Sequence, residues 1–208
     1  MTGARSAGFS TVLIALAALS GSALAAPYYS SHSGRAGHGE LLFGLGAMGS
    51  DTARIDPFTR LDAGDGRTFD VRFQFHFNDN IGIQIDAMGE RESTTLREAG
   101  FFPDTQDTHT GFVFANFLFD FVPTPITPYL AVGVGNFRHR GLTFFDQNGF
   151  PVTTRENGSA FDAAFGFEGH SRGPLCWAVE AKYIYYEFSD FQEAWNRYQF
   201  SGHLGFRF

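Results

Sequence analysis

From Arg67 to Asn78 the chain reads RTFDVRFQFHFN, with an apolar residue at every second position. Phe69, Val71, Phe73, Phe75 and Phe77 share one side, and Asp70, Arg72, Gln74, His76 and Asn78 share the other. Successive side chains of a strand point to opposite faces, so this spacing predicts a β-strand with one apolar and one ionisable face. Asn78-Asp79-Asn80 supplies residue types suited to a tight turn. The alternation then resumes, with Ile81, Ile83, Ile85 and Ala87 facing away from Gln84, Asp86, Met88 and Glu90.

The same pattern predicts six further strands. They cover 39–48 (Leu41, Phe43, Leu45, Ala47), 108–122 (Val113, Ala115, Phe117, Phe119, Phe121) and 128 to about 140 (Leu130, Val132, Val134). The last three cover 159–170 (Phe161, Ala163, Phe165, Phe167), 175–188 (Trp177, Val179, Ala181, Tyr183, Tyr185) and 197–208 (Tyr198, Phe200, Leu204, Phe206, Phe208). Long polar connections at 49–66, 91–107 and 141–158 alternate with short ones at 78–80, 123–127 and 171–174, and 189–196 is intermediate. Segments near the ~9–11 residues of a tilted membrane strand, joined by alternately short and long connections, suit a transmembrane barrel. An even strand count puts both ends of the barrel chain on one side, the periplasmic one.

Periodicity alone does not say which face is inside. A soluble sandwich or a lipocalin-like barrel would turn its apolar face inward. Composition favours the opposite arrangement, because 26 Phe make the apolar face too large and too aromatic for a small barrel's interior. The polar face carries Gly44, Gly46, Gly82, Gly133, Gly135 and Gly166, small enough for a narrow lumen. Aromatics gather towards strand ends as girdles do: Tyr129, Phe121, Trp177 and Phe208 at one end, Tyr183, Tyr185 and Tyr198 at the other. The expectation is an all-β chain folded as an eight-stranded antiparallel up-and-down transmembrane β-barrel.

The first residues read as an export signal. Arg5 is followed by an unbroken apolar run from Val12 to Leu19 and by Ala23-Leu24-Ala25, a small-x-small cleavage pattern. The expected organisation is a signal peptide at 1–25, a short periplasmic leader at 26–37 and an outer-membrane barrel at 38–208. Removing Arg5 with the signal takes the formal charge from -7 to -8. That acidity, with no basic stripe of interleaved stacking residues, excludes a nucleic-acid partner. A single cysteine, Cys176, excludes an internal disulfide and any multi-cysteine metal site.

Asn116-Phe-Leu-Phe-Asp-Phe121, followed by Pro125-Ile-Thr-Pro-Tyr-Leu-Ala-Val-Gly-Val-Gly135, resembles the strand-turn-strand of the OmpA-like and OmpW-like small outer-membrane barrels. The closing Gly205-Phe-Arg-Phe208 is similar to their C-terminal assembly signal, here Leu204, Phe206 and Phe208. The resemblance implies recognition by the barrel-assembly machinery during biogenesis, and residence in the outer membrane among its lipids and lipopolysaccharide. It implies a channel as one activity, because a small-solute role is suggested for OmpW-like relatives. OmpA itself continues into a peptidoglycan-binding domain, and a chain stopping at Phe208 is expected to lack that role.

With the apolar face outward, the charges belong to the lumen. The expected polar network is Asp70, Arg72, Asp86, Glu90, Asp120, Asp162, Glu168, Glu180, Lys182, Arg197, His203 and Arg207, with Glu40, His76 and His170 also inside. Unpaired charge there is costly, so these groups are expected to pair. Eight strands leave little free volume, which favours an occluded core over a narrow ion- or solute-conducting pore. Small barrels that modify lipid A use a Ser and a His, and Ser201 and His203 share a face of the last strand, with Glu180 or Asp162 as the acid to orient the His. They point away from lipid, so catalysis is not expected. No histidine pair among His32, His38 and His139 has metal-site spacing, and no cofactor or metal is expected.

The remaining candidates are the external loops. Residues 49–66 hold Asp51, Asp56, Asp62 and Asp65 with Arg54, Arg60 and Arg67 nearby, and 141–158 hold Phe144, Phe145 and Phe150. Loops on a rigid barrel commonly carry binding. The expected function is a structural or surface-interaction role, with a host or neighbouring surface protein as the candidate partner.

Overall fold

The alternating segments form strands that pair in sequence order around a closed wall. A computed structural model describes residues 36–49, 51–54, 59–98, 104–122, 124–145, 151–171, 173–188 and 193–208. The signal peptide expected at 1–25 and most of the 26–37 leader lie outside the described residues. The strands are β1 (Gly39–Met48), β2 (Asp51–Arg54), β3 (Thr59–Ala63), β4 (Gly66–His76) and β5 (Ile81–Glu98), then β6 (Asp104–Asp120), β7 (Ile126–Phe145), β8 (Pro151–His170), β9 (Leu175–Phe188) and β10 (Glu193–Arg207).

Eight of them close the barrel in the order β1-β4-β5-β6-β7-β8-β9-β10, every pair antiparallel, with β10 returning to β1. Phe208 and Gly39 exchange backbone hydrogen bonds of 2.9 and 3.0 Å at the seam. The remaining two strands form a hairpin that continues the wall: β2 pairs β3, and β3 pairs the far half of β5. At the opposite end the Asn78 side-chain oxygen accepts from the backbone N–H of Asn80 (2.9 Å) and Ile81 (2.8 Å), which fixes the β4–β5 turn.

The alternation resolves as an apolar exterior and a polar interior. Phe69 (52%), Phe117 (49%), Phe165 (46%) and Phe200 (56%) stand exposed on the outer face, while Arg72, Asp86 and Asp162 are each 0% exposed. A belt of exposed Phe, Leu, Ile and Val this continuous is far larger than the apolar patches of soluble monomers, and lipid is the solvent that suits it. Among the described residues no helix is long and apolar enough to cross a membrane, so strands make the crossing.

Two expectations change. The stretches 49–66, 91–107 and 141–158 are largely strand rather than loop. β5 to β8 run for 18, 17, 20 and 20 residues, well beyond the ~9–11 that a tilted crossing needs. Their far halves are rich in Ser, Thr and Val (Ser93-Thr94-Thr95, Thr105, Val152-Thr153-Thr154), residues that keep a ladder going without an apolar face. A bulge interrupts β7 between Arg140 and Thr143, where Gly141 takes φ +147°. An added Cβ there would lie 2.8 Å from the Thr108 backbone, so glycine suits both the angle and the fit. The second change is Tyr129, expected in an aromatic girdle. It is fully buried in the lumen, because it falls on the face opposite Leu130 and Val132.

Candidate functional site: a filled lumen and a basic outer rim

The inward positions group into layers, most easily followed along β6. From the end where β1 begins and β10 ends, the termini of the barrel, its inward residues run Asp120, Leu118, Asn116, Phe114, Phe112, Thr110 and Thr108, all buried.

Asn116 marks the charged centre. Arg72 on β4 donates to Glu180 on β9 (2.7 Å) and to the Tyr129 hydroxyl (3.1 Å), and lies 3.6 Å from Asp86, its direct cross-strand neighbour on β5. Tyr129 in turn donates to the other oxygen of Glu180 (2.7 Å). Lys182 contacts Asp86 and lies 3.5 Å from both Asp162 and Glu180, and Asn116 donates to Asp162 (3.1 Å). His203 on β10 meets Asp70 at 2.7 Å. Gly44 faces this last pair, and an added Cβ would strike both the His203 ring and the Asp70 carboxylate. Strands β4 and β5 on one side and β8, β9 and β10 on the other thus bring seven of the expected network residues to this centre, each with a partner of opposite charge.

Beyond the centre the inward positions become aromatic. Phe112 stacks on Phe114 (5.7 Å between centroids) and meets Tyr186 edge-on (5.3 Å), while Phe137 and Trp195 pack on Tyr186 at 4.8 and 6.1 Å. Met48, Met88, Ala160 and Ile184 complete this cluster. Further out, Arg197 bridges Glu90 and Glu92, each at 2.6 Å. At the end where the termini meet, Glu40, His76, Asp120, Glu168 and His170 converge. Arg207 sits there half-buried rather than enclosed. The outward-facing Leu204, Phe206 and Phe208 lie on the apolar belt.

The members that sequence reading passed over follow the same parity as those it found. Glu92 continues the inward series of Asp86 and Glu90, and Phe112, Phe114 and Phe137 alternate with outward Val113 and Val134. Ser201 and His203 share a face as expected, but no hydrogen bond joins them. His203 is engaged by Asp70, and the buried Ser201 hydroxyl has no hydrogen-bond partner among the described residues.

A different chemistry lies on the outer face, just past the belt. Cross-strand pairing sets Arg67 opposite Arg91, Arg91 opposite His109, His109 opposite Arg140, and Arg140 opposite Arg155. The next row towards the belt is Phe69, Gly89, Gly111 and Arg138. Arg67, Arg91, His109, Arg138 and Arg140 line an open groove with Leu45 and Phe69, and the two glycines leave its floor low. Arg91 donates to Asp107 (2.7 Å), which holds that exposed carboxyl below its ordinary range. No ion pair engages Arg67, Arg138, Arg140 or Arg155 among the described residues. Like charges directly opposite one another destabilise a sheet, so this row is a cost in the absence of an anion.

No protein-family model and no curated protein matches the sequence. Among solved structures the chain is similar to the outer membrane protein OprG from Pseudomonas aeruginosa, with a TM-score of 0.68 and 13% identity over 86% of this chain and 99% of that one. It is similar to Neisserial surface protein A, with a TM-score of 0.55 and 14% identity over 83% and 96%. It is also similar to Ail, the attachment invasion locus protein of Yersinia pestis, with a TM-score of 0.52 and 18% identity over 82% and 99%. The chain therefore has the fold of the small outer-membrane β-barrels.

Proposed function

We propose that this chain is a non-enzymatic outer-membrane protein that acts from its outside: a sealed, ion-paired barrel whose basic rim seats the phosphates of outer-leaflet lipopolysaccharide. The observation that carries this reading is the unbroken cross-strand row Arg67–Arg91–His109–Arg140–Arg155, immediately past the apolar belt. A phosphorylated lipid would lay its acyl chains on Leu45 and Phe69 and its phosphates on the arginines. Arg is well suited to this because its fork matches phosphate oxygens in pairs. The aromatic cluster and the ion-paired centre stacked along the lumen support the same reading, since both place bulky or paired side chains where a solute would pass. Neisserial surface protein A and Ail carry surface and attachment roles in their names. By analogy the projecting ends of β5 to β8 and the β2–β3 hairpin offer a platform for a host or neighbouring surface protein. Biogenesis would pass through the barrel-assembly machinery, with Leu204, Phe206 and Phe208 as the assembly signal.

The test is retention of lipid by the folded protein in mild detergent, read by native mass spectrometry. Lipopolysaccharide, its dephosphorylated form and phosphatidylglycerol would be compared. Retention of the phosphorylated glycolipid is expected to fall by roughly tenfold or more in Arg138→Ala/Arg140→Ala, given the worth of hydrogen bonds to charged groups. Equal retention by the variant, or indifference to phosphate, overturns the proposal.

A further inference from the structure

The termini end of the lumen gathers a set of donors that the charged centre does not use. Glu40 opens β1, His76 closes β4 and Glu168 lies near the end of β8. One donor atom from each lies within 4.8 Å of the others. All three are at most 1% exposed. They are distant in sequence and come together only because β1, β4 and β8 all bring an end to the same mouth.

The surroundings are those of a metal centre rather than of a simple ion pair. His76 Nδ1 lies within ion-pair distance of Asp120 Oδ2 (3.2 Å), on the side from which a carboxylate orients a metal-binding histidine. His76 Nε2 is buried and has no hydrogen-bond partner among the described residues, an expensive state for a ring nitrogen unless something fills it. His170 Nε2 lies 2.6 Å from Glu40 Oε1, and His170 is 10% exposed, so it borders the route in from the mouth. With neutral imidazoles, the three carboxylates at this mouth outnumber the one cation beside them, the half-buried Arg207, and a dication balances the excess charge in a desolvated place.

We infer that Glu40, His76 and Glu168 form a binding site for a divalent first-row transition ion of the zinc type, with Asp120 orienting His76. Mixed imidazole and carboxylate donors suit such an ion. Ligand atoms around tetrahedral zinc sit about 3.3 Å apart, given metal–ligand distances of about 2.0–2.2 Å. The donors therefore close in by rotamer adjustment, without movement of the strands. His38 and His139, considered from the sequence alone, are not among these donors, and His32 lies outside the described residues. The site is independent of the basic rim, so either can fail without the other.

The experiment titrates zinc chloride into chelator-stripped, folded full-length protein by calorimetry, and records cobalt(II) absorption on the same sample. One ion per chain and a tetrahedral cobalt band are expected. His76→Gln and Glu168→Gln are expected to weaken zinc at least tenfold, and Asp120→Asn by roughly 10–100-fold, the range for a residue that orients a ligand. His32→Ala, in the leader, and His38→Ala, at the start of the barrel, are expected to leave binding unchanged, which excludes a site built on either. Absence of saturable binding overturns the inference, as does affinity that survives His76→Gln and Glu168→Gln. Should those variants fail to fold, the wild-type cobalt spectrum decides: an octahedral, water-like spectrum contradicts the site.

Discussion

Replacing Arg72 by methionine keeps most of the side chain's bulk and removes the charge that organises the lumen. Its guanidinium lies 2.7 Å from Glu180 and is fully buried. At the 2.7 Å separation, two unit charges attract by about 6 kcal/mol at an effective dielectric near 20, but by only about 1.5 kcal/mol in bulk water. The environment thus decides the size of the effect. In a dry lumen the variant leaves Lys182 as the neighbouring cation for both Glu180 and Asp86, and breaking a buried pair in this way costs about 3–5 kcal/mol. A loss of 3 kcal/mol shifts the unfolding equilibrium by roughly 150-fold, at about 1.4 kcal/mol per decade. The assay is urea unfolding in lipid vesicles followed by the fluorescence of Trp177 and Trp195, with Glu180→Gln and the double variant closing a thermodynamic cycle. A coupling energy of about 2 kcal/mol or more is expected for neighbours sharing one network. A loss below about 1 kcal/mol with coupling near zero would mean screening by water. That result refutes the sealed-lumen reasoning.

Three further outcomes follow from the same architecture. Phe165→Arg, on the outer belt between Leu130 and Ala181, should cost about 2–4 kcal/mol in bilayers if the site lies near the midplane; improved solubility without detergent would instead support a soluble barrel. Gly44→Leu should drive a side chain into the Asp70–His203 pair and destabilise by roughly 1–3 kcal/mol as overpacking does, whereas an unchanged urea midpoint would mean that the lumen has room to spare. Phe208→Ala should lower the amount of heat-modifiable, folded protein in outer-membrane fractions, and an unchanged yield would remove the terminal residues from assembly.

The barrel was legible because lipid on one side and charge on the other force a strict alternation through the belt. Phe69 to Phe77 and Ile81 to Ala87 each state their register without help. The signal ends where the lipid ends. Past the belt, Arg91 to Glu98 and Asp104 to Asp107 are polar at every position but Leu96, so strands there look like loops, although backbone pairing continues them. Within the lumen, parity named the charged residues but not their partners. Nothing local in the sequence says that Arg72 meets Glu180, 108 positions away, or that Glu40, His76 and Glu168 share one mouth. Those contacts depend on barrel closure and strand stagger, which are global properties. Tyr129 shows the opposite failure, because its position opposite Leu130 placed it inside, and the expectation of an aromatic girdle overrode that signal.

The basic rim was missed for a related reason. Neighbours in the row Arg67, Arg91, His109, Arg140 and Arg155 lie 15 to 31 residues apart in sequence, as their numbers give, and the overall charge of -7 points away from a cationic surface. Antiparallel register alone makes them neighbours. A chain with an acidic balance can still carry a concentrated basic row when its pairing is fixed.

Single-channel recording from purified, folded protein in planar bilayers tests the central claim most directly. A lumen closed by the Phe112–Phe114–Phe137–Tyr186–Trp195 cluster over the Arg72–Glu180–Lys182 centre should give a flat baseline at both polarities. Sustained, discrete conductance steps that scale with inserted protein would contradict it, and would assign the buried charges to the lining of a pore.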